Sequence, residues 1–335
     1  MTEYTQLIVE SIKGGLTGNY EEDMVVLHNA SEKYKKDEEC TDILREIATM
    51  MYEILPDNEK SQLASRFEKM KSGVATDFAA AKQMIQVGDF MKAKATMESI
   101  LAAVEGSYGE DEDNIYMSFN HIMEMYIYHF YYKPVKEVKS TDIEYNVLYR
   151  TYGFILAQLE EYENAIKAHE NAMKWNPVDL DSILSLGEVY KHNNDLDNFM
   201  KTTKQAYKYC CTRATMARFY RNVAFYYVEK YKPEVARALY AYSNIYYQTE
   251  NANNELEYIA KSTDCKTPKY DLATLQQILK ENDIELGPDS TTIGIIYRLG
   301  QLMMEEGNAV KAKDCFLVVF DITQDAEVGE LIEKL

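Results

Sequence analysis

Chain breakers are scarce in this sequence: 335 residues contain fourteen glycines and six prolines, roughly half of average usage. That shortage excludes a turn-rich β-sandwich, a collagen-like repeat and a flexible low-complexity chain. Basic residues are outnumbered, 36 Lys and Arg against 55 Asp and Glu, for a formal charge of −19. Non-specific nucleic-acid binding needs basic contacts that release counterions, and anionic lipid repels an acidic surface. Neither nucleic acid nor membrane is expected as a partner. The five cysteines (Cys40, Cys210, Cys211, Cys265, Cys315) form no CxxC pair, which reads as buried thiols in a reducing compartment. No apolar run approaches the roughly 20 residues that span a bilayer. The start, Met1-Thr2-Glu3-Tyr4-Thr5, lacks the basic and apolar segments of a signal peptide. A cytoplasmic location is the expectation.

Catalytic signatures are missing as well. Gly14-Gly15 and Gly18 are not followed by the Lys-Ser/Thr of a phosphate loop and read as a turn between two amino-terminal helices. His169-Glu170 lacks the second histidine of a zinc protease helix. His121, Glu124 and His129 fall among Tyr126, Tyr128, Phe130, Tyr131 and Tyr132, a setting of packed or half-exposed histidines rather than of a metal site. Glu110-Asp111-Glu112-Asp113 lacks the alternating ligands and central glycine of a calcium loop and reads as a solvated acidic loop. Cys210 and Cys211 are adjacent, so on a helix they point about 100° apart and read as core or boundary thiols. No catalytic, cofactor or metal residues emerge, and an enzyme is not expected.

What is present is a mostly helical globular chain, with 46% hydrophobic and 27% charged residues and 28 tyrosines. Self-similarity at about 34 residues organises it. One unit reads Tyr149-x-x-Tyr152-Gly153-x-x-Leu156, then Ala165, Ala172 and Pro177. The next reads Ile183-x-x-Leu186-Gly187-x-x-Tyr190, then Phe199 and Ala206. A third reads Tyr220-x-x-Val223-Ala224-x-x-Tyr227, then Ala236 and Tyr240, with about three residues added near Cys210–Ala214. A carboxyl-terminal unit reads Ile296-x-x-Leu299-Gly300-x-x-Met303, then Ala312 and Phe316. A weaker one runs from Ala80-Ala81-x-x-Met84 through Gly88-Asp89-Phe90 to Ala93 and Met97. The spacing makes an apolar stripe on a helix. A small residue within the stripe lets a second helix approach closely, and an intervening polar stretch reverses the chain.

On these residues the chain resembles the tetratricopeptide repeat family, whose pattern is W-x-x-L-G-x-x-Y, then A-x-x-x-F, then P. Tyr149, Ile183 and Tyr220 stand where the family has Trp, and Phe199 where it has a small residue. The resemblance implies an all-α fold, a right-handed superhelix with extra amino-terminal helices and a capping helix over 326–335. The expected organisation is an amino-terminal helical segment (1–72), a divergent repeat (73–107), an aromatic-rich helix and connector (108–145), three consecutive repeats (146–249), connector helices (250–292), and a last repeat with its cap (293–335). Further helices are expected over 21–34, 40–55, 61–72, 114–132, 253–260 and 272–281, with breaks at Pro56-Asp57, Lys133-Pro134, Lys266-Thr267-Pro268 and Gly287-Pro288-Asp289.

The resemblance also implies a concave face lined by the first helix of each unit. Arg150 and Phe154, Leu184 and Glu188, and Arg221 and Phe225 would point into it, with Arg218 at the rim. Arg218, Arg221 and Asn222 are loosely similar to the Lys/Asn set with which some family members clamp a peptide carboxyl terminus, while Arg150 and Phe154 depart from it. The other reading is that these arginines pair with acidic neighbours such as Glu188 or Glu229. Tyrosines at repeat positions read as interhelical packing, whereas Tyr126, Tyr128, Tyr226, Tyr246 and Tyr247 are candidates for exposure. The leading expectation is a non-enzymatic scaffold that binds a protein or peptide segment, with a homo-oligomer as a further option. The alternative is a peptide-responsive regulator resembling bacterial quorum-sensing repeat proteins, without a DNA-binding module.

Overall fold

Seven helices among the described residues end in the same way, two of them outside the repeat units at Asp264 and Asp283 and five within those units. At Gly88, Glu160, Asn194, Tyr231 and Gly307 the backbone enters the left-handed region, with φ of 77, 61, 57, 56 and 76°. The next residue's N–H then reaches back along the helix: Asp89 to Met84, Glu161 to Leu156, Asp195 to Tyr190, Lys232 to Tyr227 and Asn308 to Met303, at 2.8 to 2.9 Å. These are Schellman closures, which satisfy orphan carbonyls and turn the chain. The five acceptors are the residues that end the first-helix motif of the five units. One turn into each second helix sits Ala93, Ala165, Phe199, Ala236 or Ala312, each with 0% exposure. The closure followed one turn later by a fully buried residue therefore coincides with the sequence motif, whereas the closures at Asp264 and Asp283 have no such buried residue at that position.

The structure is a computed structural model that describes residues 2–37, 40–109, 111–266 and 268–335. Its elements, in order, are α1 (Glu3–Lys13), α2 (Tyr20–Tyr34), α3 (Cys40–Ile54), α4 (Asp57–Gln86), α5 (Phe90–Val104), β1 (Asn114–Met117), α6 (Ile122–Tyr132) and β2 (Glu137–Ser140). The central array follows as α7 (Tyr145–Gln158), α8 (Tyr162–Trp175), α9 (Leu180–His192), α10 (Leu196–Ala206), α11 (Arg213–Glu229) and α12 (Pro233–Tyr246). The rest is α13 (Glu250–Ser262), α14 (Leu272–Glu281), α15 (Ser290–Glu305), α16 (Ala309–Thr323) and α17 (Ala326–Lys334). The fold is all-α and of the tetratricopeptide helical-repeat type. The residues added between the second and third units form a short 3-10 turn, Tyr207–Tyr209.

By internal contacts the chain divides into Met1–Ala79 and Ala80–Leu335, a boundary that falls inside α4. The first unit closes a core of Ile8, Val9, Ile12, Leu27, Ile43, Ile47 and Met50 among α1, α2 and α3. Its glycines form the expected turn: the Asp23 carboxylate accepts the N–H of Thr17 at 2.6 Å and of Gly18 at 2.9 Å. In the second unit α7 to α12 stack pairwise, each helix on the next. The last hairpin packs on α6. Its Ile296, Leu299 and Phe316 share one core with Ile127 and Tyr128 of α6 and with Ile183 and Leu184 of α9.

The small residues in the stripe do what the spacing predicts, unequally. A Cβ at Gly300 would stand 2.8 Å from the Phe316 ring, and one at Gly153 would stand 2.6 Å from Nε2 of His169. At Gly187 the nearest atom is 3.8 Å away, on Thr202. The slack follows from Phe199, which fills the crossing that alanine opens in the other units.

Several expectations need correction. Residues 114–117, expected to be helical, form β1, which pairs in parallel with β2. The Asp111 side chain accepts the N–H of Asp113 and Asn114 and so turns the chain into the strand. The helix expected over 61–72 is the middle of α4; Gly73 is exposed with nothing within 4 Å, and a lone glycine weakens a helix without ending it. Tyr128 is buried, Tyr126, Tyr226 and Tyr246 are half-buried, and only Tyr247 of that group is exposed. Cys265 is exposed, unlike buried Cys210 and Cys315. Glu110 of the acidic run and Thr267 of Lys266-Thr267-Pro268 lie outside the described residues. No helix among the described residues is long and apolar enough to cross a membrane.

Urea denaturation of single variants checks the unequal notches. Gly300→Ala is expected to lower stability by about 1–3 kcal/mol through overpacking. Gly187→Ala should be neutral, or stabilising by up to about 1 kcal/mol, because it relieves helical glycine without a clash.

Candidate functional site

The apolar stripes of α9 and α11 are consumed by packing on α10 and α12, which leaves their opposite flank for chemistry. Glu188 and Lys191 lie one turn apart on α9, and Arg218, Arg221, Asn222 and Phe225 follow at helical spacing on α11. A capping box of Thr212 and Thr215 starts α11. The Arg213 N–H donates to Asp321 of α16 at 2.7 Å, which fixes the helix in place. With Tyr240 of α12 and Asn251, Asn254 and Glu255 of α13, these side chains line a cavity of about 560 Å3.

The cavity gathers three cationic side chains and two carboxylates. Arg218 Nη2 stands 3.5 Å from Glu188 Oε1, and Lys191 Nζ lies 3.9 Å from the same carboxylate. Lys191 also sits 4.3 Å above the Phe225 ring, whose edge-on contact with Phe199 is 5.5 Å between centroids. Arg221 is different. It is half-buried, and its Nη1 donates to the Tyr247 carbonyl at 3.3 Å, with no ion pair among the described residues. Burial pushes its pKa below the ordinary arginine value, and the charge of Arg218 pushes the same way. A guanidinium so placed is an underused donor for an anionic group.

The remaining sequence candidates do not converge there. Leu184 is 3% exposed and belongs to the core that α6, α15 and α16 build against α9. Phe154 is exposed and meets Phe90 edge-on at 6.2 Å. Arg150 is an internal ion pair, its Nη1 2.6 Å from Oδ2 of buried Asp179. Arg150, Leu180 and Thr215 border a second cavity, about 390 Å3, also lined by Met123 and Ile127 of α6, Ile296 of α15 and Val318 of α16. The face expected to lie open is therefore covered at this end by the chain itself. Pairing with an acidic neighbour holds for Arg150 and Arg218 and fails for Arg221. The sequence reading missed Lys191, one turn beyond Glu188 on the same helix face, and the Asn251–Glu255 side of the cavity. The asparagines of α13 were visible as a polar run but carried no repeat signal to place them.

A buried polar network secures the cover. Asp179 caps α9 and accepts from Arg150, from Ser182 Oγ at 2.6 Å and from Asn146 Nδ2 at 3.2 Å. The amide of Asn146 also donates to Asn120 Oδ1 at 2.9 Å. Glu124 of α6 accepts from the Asn120 N–H at 2.7 Å, from Asn120 Nδ2 at 3.0 Å and from Asn176 Nδ2 at 2.8 Å. Its own N–H meets Nδ1 of His121, the residue that caps α6. The pairing of His121 and Glu124 is thus a helix start, while His129 lies beyond it on α6. His169 stands nearby, inside the Gly153 notch. Burial holds its imidazole pKa down at about 4, with Arg150 adding to the depression and Asp179 opposing it.

No protein-family model matches the chain, and no curated protein does. Solved structures do. That of pilF from Pseudomonas aeruginosa is 10% identical with a TM-score of 0.42, covering 80% of this chain and 100% of its own. A tetratricopeptide repeat protein from Parabacteroides merdae is 11% identical at a TM-score of 0.32, covering 99% of this chain and 98% of its own. YrrB, described as a TPR protein with an unusual peptide-binding site, is 13% identical at 0.28, covering 57% and 92%. At these scores the repeat assignment rests on the turn and the buried crossing occurring together in five units.

Two measurements test the covered end. Arg150→Glu leaves Asp179 buried and opposed, and should cost about 3 kcal/mol of stability in urea melts. For His169, the unfolded chain takes up a proton below its ordinary pKa of 6.5 that the folded protein refuses until about pH 4. Its effect is therefore absent above about pH 6.5 and grows to a loss of about 3 kcal/mol as pH falls to 4. The melting temperature of the native protein should fall more steeply across that window than that of His169→Gln.

Proposed function

We propose that the chain is a non-enzymatic interaction scaffold whose cavity between α9, α11 and α13 takes an acidic, extended segment of a protein or peptide. The observation that carries this reading is Arg221, a half-buried guanidinium that lacks an ion pair among the described residues and has Arg218 beside it. A carboxylate entering the cavity would complete that pairing with charge-assisted hydrogen bonds. Phe225 offers an apolar contact, and the amides of Asn222, Asn251 and Asn254 suit the alternating donors and acceptors of an extended backbone. Excess positive charge here stands out on a molecule of net charge −19, and it selects against basic and for acidic segments.

Titration calorimetry with a panel of extended acidic peptides and their lysine-substituted counterparts tests this. The acidic members are expected to bind and the basic ones not. Arg221→Glu should weaken binding at least tenfold while shifting the unfolding midpoint little, and Arg221→Lys should fall between, having lost the planar fork. Absence of binding across the acidic panel, or affinity indifferent to Arg221→Glu, overturns the reading.

A further inference from the structure

The two-stranded sheet leaves one strand edge with its hydrogen-bonding groups unpartnered among the described residues. β1 and β2 run parallel with Asn114 opposite Glu137 and Tyr116 opposite Lys139. The N–H of Glu137 donates to Asp113 and that of Thr141 to Met117. In a parallel ladder each residue turns both backbone groups to one side, and successive residues alternate. Glu137, Lys139 and Thr141 are therefore spent on β1, and the N–H and C=O of Val138 and Ser140 face outward. Ser140 is exposed and Val138 half-buried. The segment entering the strand carries three exposed apolar side chains, Phe130, Tyr132 and Val135. An open edge beside such side chains is a template for another strand.

We propose that this edge pairs with its own copy, β2 against β2 in antiparallel fashion about a twofold axis at Val138. Only residues whose backbone groups face outward can form the hydrogen-bonded pairs, which leaves three symmetric or near-symmetric registers: Val138 on Val138, Val138 on Ser140, and Ser140 on Ser140. The second sets Lys139 against Lys139 of the other copy. The third sets Lys139 against Thr141 and leaves Glu137 facing Ile143. The first sets Glu137 opposite Lys139 twice, on one face of the joined sheet, and no like charges meet. Opposite charges directly across an antiparallel pair stabilise it, and like charges oppose it. Within one strand the two side chains stand 4.0 Å apart as a loose, solvent-exposed pair, at 70% and 43% exposure, and the first register replaces that single contact with two across the seam. The occupant that this edge fits is therefore a second copy of the chain, joined in a four-stranded sheet with α6 on each side of the seam.

Sedimentation equilibrium on the full chain over a range of concentrations tests the pairing. The native protein should move from 38.8 kDa towards twice that mass. Glu137→Lys and Lys139→Glu, each alone, place like charges across the seam and should raise the dimer dissociation constant about tenfold or more. The double reversal restores opposite charges and should restore the dimer. Circular dichroism and melting of each variant should be unchanged, since both side chains are exposed. A native protein that stays monomeric, a dimer indifferent to the single reversals, or a double reversal that fails to restore association overturns the proposal.

Discussion

The close approach of two helices at a fully buried small residue is the constraint on which the second unit depends. At Ala165, Ala236 and Ala312 the second helix crosses the first with no side chain in the way, and the Schellman turn fixes the angle at which it arrives. Where the notch is deepest, an aromatic or imidazole ring fills it, as Phe316 does at Gly300 and His169 at Gly153. Van der Waals contact of this density is what makes a hairpin rigid. Only because the hairpins are rigid do α9 and α11 hold Glu188, Arg218, Arg221 and Phe225 at fixed positions across a helix boundary.

A second layer of organisation divides the inner face of the array. At one end, the network from Glu124 through Asn120 and Asn146 to Asp179 ties α6 to α7 and α9 with most donors and acceptors matched. Such a network rigidifies when it is complete and is costly when a member is removed. Arg150 is absorbed by it and becomes structural. That cover touches only the start of α11, at Arg213 and Thr215, and two turns further on Arg221 has no ion pair among the described residues and keeps donors to spare. The same residue type at comparable repeat positions thus has opposite roles, decided by what the rest of the chain lays over it.

The repeat was legible in the sequence because its determinants are local. Small residues at a fixed offset, apolar spacing within one helix and turn residues at helix ends mark Leu156, Tyr190, Tyr227 and Met303 as equivalent before any coordinates. The connector helix over 272–281 was equally plain from its pattern. What lay hidden depends on contacts between distant segments. Nothing within 114–132 announces that Asp111 will start a strand or that Tyr128 will be buried against α15. Leu184 and Arg150 have the spacing of groove residues; the return of α6 and the last hairpin buries the first, and the cap residue Asp179 of the next repeat takes up the second. The cavity was half visible for the same reason: α9 and α11 supplied its repeat positions, and α13 brought asparagines from outside the repeat.

The return of α15 onto α6 has a further consequence. An open stack of hairpins gains or loses modules by duplication and deletion with little penalty, since each module touches only its neighbours. Here a segment before the central array and a segment after it are clasped together across the array's own face. The distance between them is set by the three hairpins in between. Inserting or excising one would pull the clasp apart, so the module count of this chain is held by its own tertiary contacts.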